Sequence, residues 1–189
     1  MKRHLIIIFF IHFLVAVSSY GQKTVAGVKL DAKLAIEGQE LLLNGAGIRE
    51  KMWIDLYVGA LYLEKKSNNA KEIVNAKDPI AIRLDVISSM VTSKKMVDAL
   101  DEGLIKSTNN NIAPIKDKVA KFKSYFKDEI KVGDKFILVY VPEKGVVFYK
   151  NGVMKGVIEG YDFKKALFGI WLGDNPVDAP LKDYLLANY

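Results

Sequence analysis

The sequence predicts an α+β domain in which an antiparallel sheet carries a layer of helices on one face. Apolar runs of strand length follow one another through turn residues, and Asn151-Gly152 between two such runs is the strongest hairpin signal. Two amphipathic helical patterns separate the first strands from a later group, and two more helices follow that group. Strands and helices do not alternate singly, so the order does not indicate a parallel sheet.

The first half of the chain contains four predicted strands and one short helix. We expect strands at residues 24–30, 35–48, 52–63 and 80–88, and a helix at 68–77 that ends before Asp78-Pro79. The strand at 52–63 is largely apolar at both its odd and its even positions, and alternate side chains of a strand point to opposite faces. Both faces of this strand are therefore expected to be covered.

The second half contains four predicted helices and three short strands. We expect helices at 92–107, 112–126, 161–173 and 179–189, and strands in "KFILVYVP", "VVFYK" and "VMKGVIEG". One face of the helix at 92–107 is apolar, and either Thr92 or Ser93 can cap its start.

The first residues have the pattern of a secretory signal peptide. Lys2 and Arg3 give a basic start, residues 5–17 are almost entirely apolar, and small residues precede Gln22. The apolar run is shorter than the roughly 20 residues of a membrane span. We expect residues 1–21 to be a cleaved signal peptide and 22–189 a periplasmic or secreted domain without a stable membrane anchor. An uncleaved anchor is the alternative.

Composition excludes several kinds of chemistry. The 189 residues include no cysteine, and both histidines, His4 and His12, precede the expected cleavage site. A domain without them has no disulfide, no thiol nucleophile, no Ser–His pair and no metal-binding histidine. The formal charge is +6, but lysines and acids are mixed along the chain, which is typical of a solvated surface. We expect no metal, no cofactor, no nucleic-acid partner and a monomer.

Arg49 and Tyr57 are the residues that suggest a binding site. Arg49 is one of three arginines, and in an uninterrupted strand it would share a face with Tyr57. A guanidinium fork beside a phenol suits an anionic head group whose apolar tail runs into the core. The alternative is structural: Arg49 pairs with an acid, such as Glu50 or Asp55, and Tyr57 is a core aromatic. Arg83 is expected to form a structural ion pair with Asp85.

The stretch "LNGAGIREKMWIDLYVGALYLE" (43–64) resembles the chalcone isomerase superfamily, and most of all its bacterial secreted branch. The family pattern of a Gly-x-Gly-x-Arg turn and a strand ending in Tyr-Leu-Glu is present at Gly45, Gly47, Arg49 and 62–64. The segments "FGIWLGDNPVDAPLKDYLL" and "VTSKKMVDALDEGL" are similar to later parts of the family pattern. The resemblance implies an open-faced β-sandwich with a cleft between an antiparallel sheet and its helices.

The resemblance also bears on individual residues. In plant isomerases of this family an arginine steers the substrate phenolate, and Arg49 matches it. The family's threonine falls at Tyr57, its catalytic tyrosine at Met96, its asparagine at Gly103, and a late polar residue at Ile170. Thioether and alkyl side chains cannot hydrogen-bond a ketone or a water as those groups do, so chalcone cyclisation is not expected.

Non-catalytic relatives in the superfamily bind fatty acids through this arginine and a tyrosine. The resemblance therefore implies a protein that binds an amphipathic carboxylate, such as a fatty acid, through Arg49, Tyr57, Met96 and Ile170. Two alternatives remain open at this point. The first is an isomerase, or intramolecular lyase, in which Arg49 is catalytic. The second is an interaction module of the cell envelope.

Overall fold

A curled antiparallel sheet forms the frame of the molecule, whose computed structural model describes residues 22–188. A short hairpin of β1 (Lys23–Val25) and β2 (Val28–Leu30) comes first. Seven strands then lie side by side in chain order as a half-barrel. They are β3 (Lys33–Ile36), β4 (Gln39–Lys51), β5 (Ile54–Leu63), β6 (Ile80–Val86), β7 (Lys135–Val141), β8 (Gly145–Lys150) and β9 (Val153–Ile158). The predicted signal peptide lies outside the described residues.

In the described part of the chain, five helices accompany the sheet. They are α1 (Ala70–Asn75), α2 (Ser93–Ser107), α3 (Lys116–Lys123), α4 (Tyr161–Leu172) and α5 (Ala179–Leu185). Short 3-10 turns at Ala113–Ile115 and Ser124–Phe126 flank α3. Thr92 caps α2, as one of the two predicted possibilities. Within residues 22–188, no helix is both long and apolar enough to cross a membrane.

Both faces of the sheet are buried, as the apolar pattern of residues 52–63 predicts. On one face, side chains such as Leu61, Leu84 and Phe148 form a core with residues of the helices. On the opposite face a second core contains Val58 and Tyr62, and it is completed by Leu30 of the β1–β2 hairpin. The prediction of an α+β fold with the helical layer on one face is therefore confirmed.

Three predicted strands are interrupted by turns. The strand expected at 24–30 is a hairpin that turns at Ala26-Gly27, and the strand expected at 35–48 turns at Glu37-Gly38. Both pairs have positive φ, which ends the extended conformation. The strand expected at 52–63 begins at Ile54, because Met52-Trp53 also forms a two-residue turn. The helix expected at 112–126 divides into the 3-10 and α segments given above, and α5 ends at Leu185.

The ion pair expected between Arg83 and Asp85 is confirmed. The guanidinium donates through Nε to Oδ2 at 2.7 Å and through Nη2 to Oδ1 at 2.8 Å, and both residues are buried. Arg83 Nη2 also donates to the carbonyl of Lys29 at 3.3 Å. The pair thus ties the β1–β2 hairpin to the face of the sheet that is turned away from the helices.

Lys164 connects α1 with α4. Its ammonium group is completely buried and donates to the carbonyls of Ile73, Val74 and Ala76 at 3.0, 2.8 and 2.8 Å. These carbonyls belong to the C-terminal end of α1, where a cation is favoured. Burial lowers the pKa of Lys164 to about 8.

Candidate functional site

A cavity of about 450 Å³ lies between the helix-facing side of the sheet and helices α2 and α4. Its deep end is aromatic, since Phe122, Phe126, Phe136 and Phe148 line it and are buried. Such a volume falls within the range of about 300–1,000 Å³ found for small-molecule sites. The cavity is therefore large enough and apolar enough to hold the tail of an amphipathic molecule.

The glycines before Arg49 seat α5 against β4. A Cβ atom at Gly45 would lie 2.1 Å from the carbonyl oxygen of Tyr184, and one at Gly47 would lie 2.5 Å from Tyr184 Cβ. Asn44 adds a direct link, because its Nδ2 donates to the carbonyl of Leu185 at 2.8 Å. The Gly-x-Gly spacing therefore lets a helix lie directly on the strand that carries Arg49.

Arg49 is paired with the residue that begins α5. Its Nη1 donates to Asp178 Oδ2 at 2.7 Å and also to the carbonyl of Glu50. Asp178 uses its other oxygen, Oδ1, to accept from the Leu181 amide at 2.8 Å and so caps the helix. The side chains of Arg49 and Asp178 are 15% and 8% exposed. The structural alternative for Arg49 is thus observed in part, although the carboxyl partner is neither Glu50 nor Asp55.

Tyr57 is a buried phenol with a donor directed at it. Trp171 Nε1 donates to its hydroxyl oxygen at 3.0 Å. Burial raises the pKa of Tyr57, and the hydrogen bond from Trp171 and the positive charge of Arg49 oppose that shift only in part. The hydroxyl therefore stays neutral at ordinary pH and keeps a proton that it can donate to an acceptor in the cavity.

Arg49 and Tyr57 do share a face, but the reason expected from the sequence is wrong. They lie on two strands that are joined by the Met52-Trp53 turn, and they are direct cross-strand partners. The ladder shifts register between Arg49 and Glu50, so that Leu56 is an extra residue in β5. Both side chains line the cavity, and a ligand head group could contact them together.

Of the other residues that the resemblance pointed to, some line the cavity and one does not. Met96 and Ile170 line the cavity, and their part in ligand binding stays a prediction. Gly103 is not a lining residue; it permits close packing of α2 on α4, because a Cβ there would lie 2.8 Å from Ile170 Cγ2. Trp171 and Asp178 were not identified from the sequence as site residues. Asp178 did carry a signal, since it precedes Ala179-Pro180 in the manner of a helix cap.

The mouth of the cavity carries charges of both signs. Lys51, Lys95, Asp98 and Glu102 line it. The pKa of Glu102 is lowered chiefly by its hydrogen bond to Lys106, with smaller effects from the charges of Lys51 and Arg49. In the part of the chain that the structure describes, no group of three or more His, Cys, Asp or Glu residues could hold a metal ion.

A family model described as chalcone isomerase-like matches residues 22–187. The chain belongs to the chalcone isomerase-like family. Among solved structures, this chalcone isomerase-like chain is similar to a fatty-acid binding protein of Arabidopsis thaliana. The TM-score is 0.68 at 17% identity, and the match covers 86% of this chain and 93% of that one. No curated protein sequence matches the chain.

The comparisons confirm the resemblance inferred from "LNGAGIREKMWIDLYVGALYLE" and the fold that it implies. At 17% identity the structural neighbour supports the fold alone. What the chalcone isomerase-like cavity binds must therefore be argued from its own residues.

Proposed function

We propose that the protein binds an amphipathic carboxylate, such as a fatty acid, in the cavity between sheet and helices. The observation that carries this proposal is the placement of Arg49 and Tyr57 as cross-strand partners on the wall of a cavity whose deep end is aromatic. A charged donor and a neutral donor thus adjoin an apolar space. The neighbouring fold in Arabidopsis thaliana is that of a fatty-acid binding protein, which agrees with this reading.

The guanidinium of Arg49 has more N–H groups than its contacts to Asp178 and Glu50 use, and the ligand's head group could bind the others. Arg49 carries five N–H groups, and the contacts to Asp178 and to the Glu50 carbonyl both use Nη1. A ligand carboxylate can accept from the rest of the fork and from the Tyr57 hydroxyl. It would do so close to the Asp178 carboxylate, so that two anions would compete for one guanidinium.

The lining does not favour the enzymatic alternative. Met96 and Ile170 line the cavity and offer neither a strong donor nor a strong acceptor, and the resemblance implies that they stand where other members of the family have polar catalytic groups. We expect the cyclisation of a chalcone at neutral pH to proceed at the buffer rate in the presence of the protein. Stopped-flow turnover that is well above this rate and lost in Arg49→Ala would establish the isomerase instead.

The proposal is tested by calorimetry with palmitate on balanced variants. Arg49→Ala leaves the Asp178 carboxylate without its cation, so a loss of affinity could follow from a damaged fold. The double variant Arg49→Met/Asp178→Asn removes both charges and keeps an oxygen for the helix cap. A charge-assisted contact is worth about 1.5–3 kcal/mol, and we expect the double variant to bind palmitate about tenfold to a hundredfold more weakly than Asp178→Asn alone.

Native mass spectrometry after lipid extraction separates binding from the interaction-module alternative. A copurified fatty acid supports the cavity as a ligand site, whereas a bare protein that also fails to bind palmitate favours an interaction module. Export is part of the proposal, and it rests on the signal pattern of residues 1–21. The mature chain should begin at or near Gln22, and N-terminal sequencing that returns Met1 from a membrane fraction would contradict this.

A further inference from the structure

The turn between β4 and β5 exposes two large apolar side chains. Met52 and Trp53 form this two-residue turn, and they are 78% and 91% exposed. Their φ angles are +52° and +60°, in the left-handed region that L-residues with bulky side chains rarely adopt. A backbone conformation of this kind costs stability, and such strained residues cluster at functional sites.

The other two-residue hairpin turns differ from this one in the residue at their second position. Ala26-Gly27, Glu37-Gly38 and Asn151-Gly152 are the two-residue turns at β1–β2, β3–β4 and β8–β9. Each has glycine at its second position, where positive φ is not strained. Among the two-residue turns within residues 22–188, Met52-Trp53 is the one without glycine, and it carries a tryptophan there instead.

This turn stands at the mouth of the cavity. Met52, Ile54 and Met90 line the cavity and are also exposed to solvent, so the rim of the opening is apolar. Lys51 and Lys95 line the same opening and are exposed. We call the exposed residues Lys51, Met52, Trp53, Ile54, Met90 and Lys95 the rim.

The rim has the composition of a surface that contacts anionic lipid. Two acids also line the mouth, Asp98 and Glu102, but each is paired with a lysine of α2, Lys94 and Lys106, at 2.7 Å. Tryptophan favours the boundary between water and acyl chains, and lysine favours anionic head groups. The acids nearest in sequence, Glu50 and Asp55, are cross-strand partners next to the Lys51–Ile54 pair. Alternate pairs of a hairpin face opposite ways, so these two carboxylates are on the side turned away from the cavity.

We propose that the rim docks reversibly on an anionic phospholipid bilayer and that Trp53 inserts into the interface. Docking opens the cavity onto the lipid, and an amphipathic ligand can then pass between the bilayer and the cavity without crossing water. Ligand exchange in this form rests on the proposed function, whereas docking does not. The strained turn then has a purpose, because it presents Met52 and Trp53 at the outermost point of the hairpin.

The parent protein carries its own reporter of docking. The other tryptophan, Trp171, is only 7% exposed but lines the cavity, so the change in emission that the parent shows on adding vesicles and Trp53→Gly lacks reports Trp53. With vesicles of phosphatidylcholine and phosphatidylglycerol, we expect a blue shift of emission, quenching by lipids brominated on the acyl chains, and co-flotation of the protein. With phosphatidylcholine alone, we expect weaker binding.

Two variants make the test specific. Trp53→Gly gives the turn the X-Gly pattern of the other three hairpins, so the variant should unfold at no lower temperature than the parent. Insertion of one large apolar side chain is worth about tenfold or more in partitioning, and we expect Trp53→Gly to lose about that factor in flotation. Met154→Ser is the matched control, because Met154 is a half-exposed apolar residue beside the Asn151-Gly152 turn and does not line the cavity. It should change flotation by less than about twofold.

Other outcomes would overturn the inference. No co-flotation of the parent would do so, and so would equal flotation of Trp53→Gly and the parent, or equal binding to neutral and anionic vesicles. If Trp53→Gly instead abolishes a dimer and leaves flotation unchanged, the rim is a protein contact. Palmitate affinity in the absence of vesicles tests the proposed function separately. Trp53 does not line the cavity, so Trp53→Gly should keep the parent's affinity.

Discussion

Asp178→Asn is the substitution that best separates a ligand-binding Arg49 from a structural one. The asparagine keeps an oxygen for the Leu181 amide, so the cap of α5 is retained. It removes the negative charge that lies 2.7 Å from Arg49 Nη1. The ligand-free protein then loses an ion pair, while a bound carboxylate gains sole use of the guanidinium. We therefore expect stability and affinity to change in opposite directions.

Both magnitudes follow from the geometry of the pair. A charge-assisted hydrogen bond exceeds a neutral one by about 1 kcal/mol, so the ligand-free variant should lose about 1–2 kcal/mol of unfolding free energy. In the complex, two carboxylates about 5 Å apart would repel by about 3 kcal/mol at an effective dielectric constant of about 20. Solvent at the mouth screens part of this, since Arg49 is 15% exposed. We expect palmitate to bind at least about tenfold more tightly to Asp178→Asn.

The assay measures urea unfolding of the ligand-free protein and palmitate binding by calorimetry on the same preparations. Asp174→Asn is the matched control, because Asp174 is an exposed acid in the same loop and its loss changes the net charge equally. It should alter neither quantity by more than about 0.5 kcal/mol. If Asp178→Asn lowers stability and leaves palmitate affinity unchanged or weaker, the ligand carboxylate does not meet Arg49 and the reasoning fails.

Three further predictions concern individual residues. Tyr57→Phe leaves the Trp171 indole N–H without its acceptor, so urea unfolding should show a loss of about 1–3 kcal/mol, and unchanged stability would contradict this. Gly45→Ala should cost about 1–3 kcal/mol or more, because the new Cβ meets a carbonyl oxygen of α5; Gly59→Ala, with its nearest atom at 3.4 Å, is the tolerated control. Lys164 has a pKa lowered from 10.5 to about 8, so between these values the unfolded state binds more protons and stability rises with pH. The stability of the parent relative to Lys164→Met should therefore increase from pH 8 to 10, by at most about 1.4 kcal/mol per pH unit, and a constant difference would refute the lowered pKa.

The sequence predicted the fold because its signals are local. The period of apolar residues and the Asn151-Gly152 turn mark strands and hairpins without reference to distant parts of the chain. The errors were local as well. Ala26-Gly27 and Glu37-Gly38 are turn signals that lie inside longer apolar runs, and Met52-Trp53 carries no turn signal at all, since neither residue favours positive φ.

Only part of the candidate site could be predicted, because the hydrogen-bond partners of Arg49 and Tyr57 are distant in sequence. Arg49 and Tyr57 were found from side-chain chemistry and from the resemblance, and both line the cavity. Their partners, Asp178 and Trp171, lie 129 and 114 positions away along the chain. No periodicity connects residues at that separation. The contact between Arg49 and Asp178 exists because Gly45 and Gly47 leave room for α5. This role of the two glycines is seen only in the folded structure.

The two carboxylate oxygens of Asp178 have different partners, and this decides how a ligand head group could bind at Arg49 without disturbing α5. Oδ1 accepts from the Leu181 amide at 2.8 Å, and Oδ2 accepts from Arg49. A ligand that draws the guanidinium toward itself takes the donor of Oδ2 only, so the cap of α5 stays in place. Asn44 holds the other end of the same helix through the Leu185 carbonyl. Binding at Arg49 therefore calls for a local shift of one side chain, and α5 can remain seated on β4 throughout.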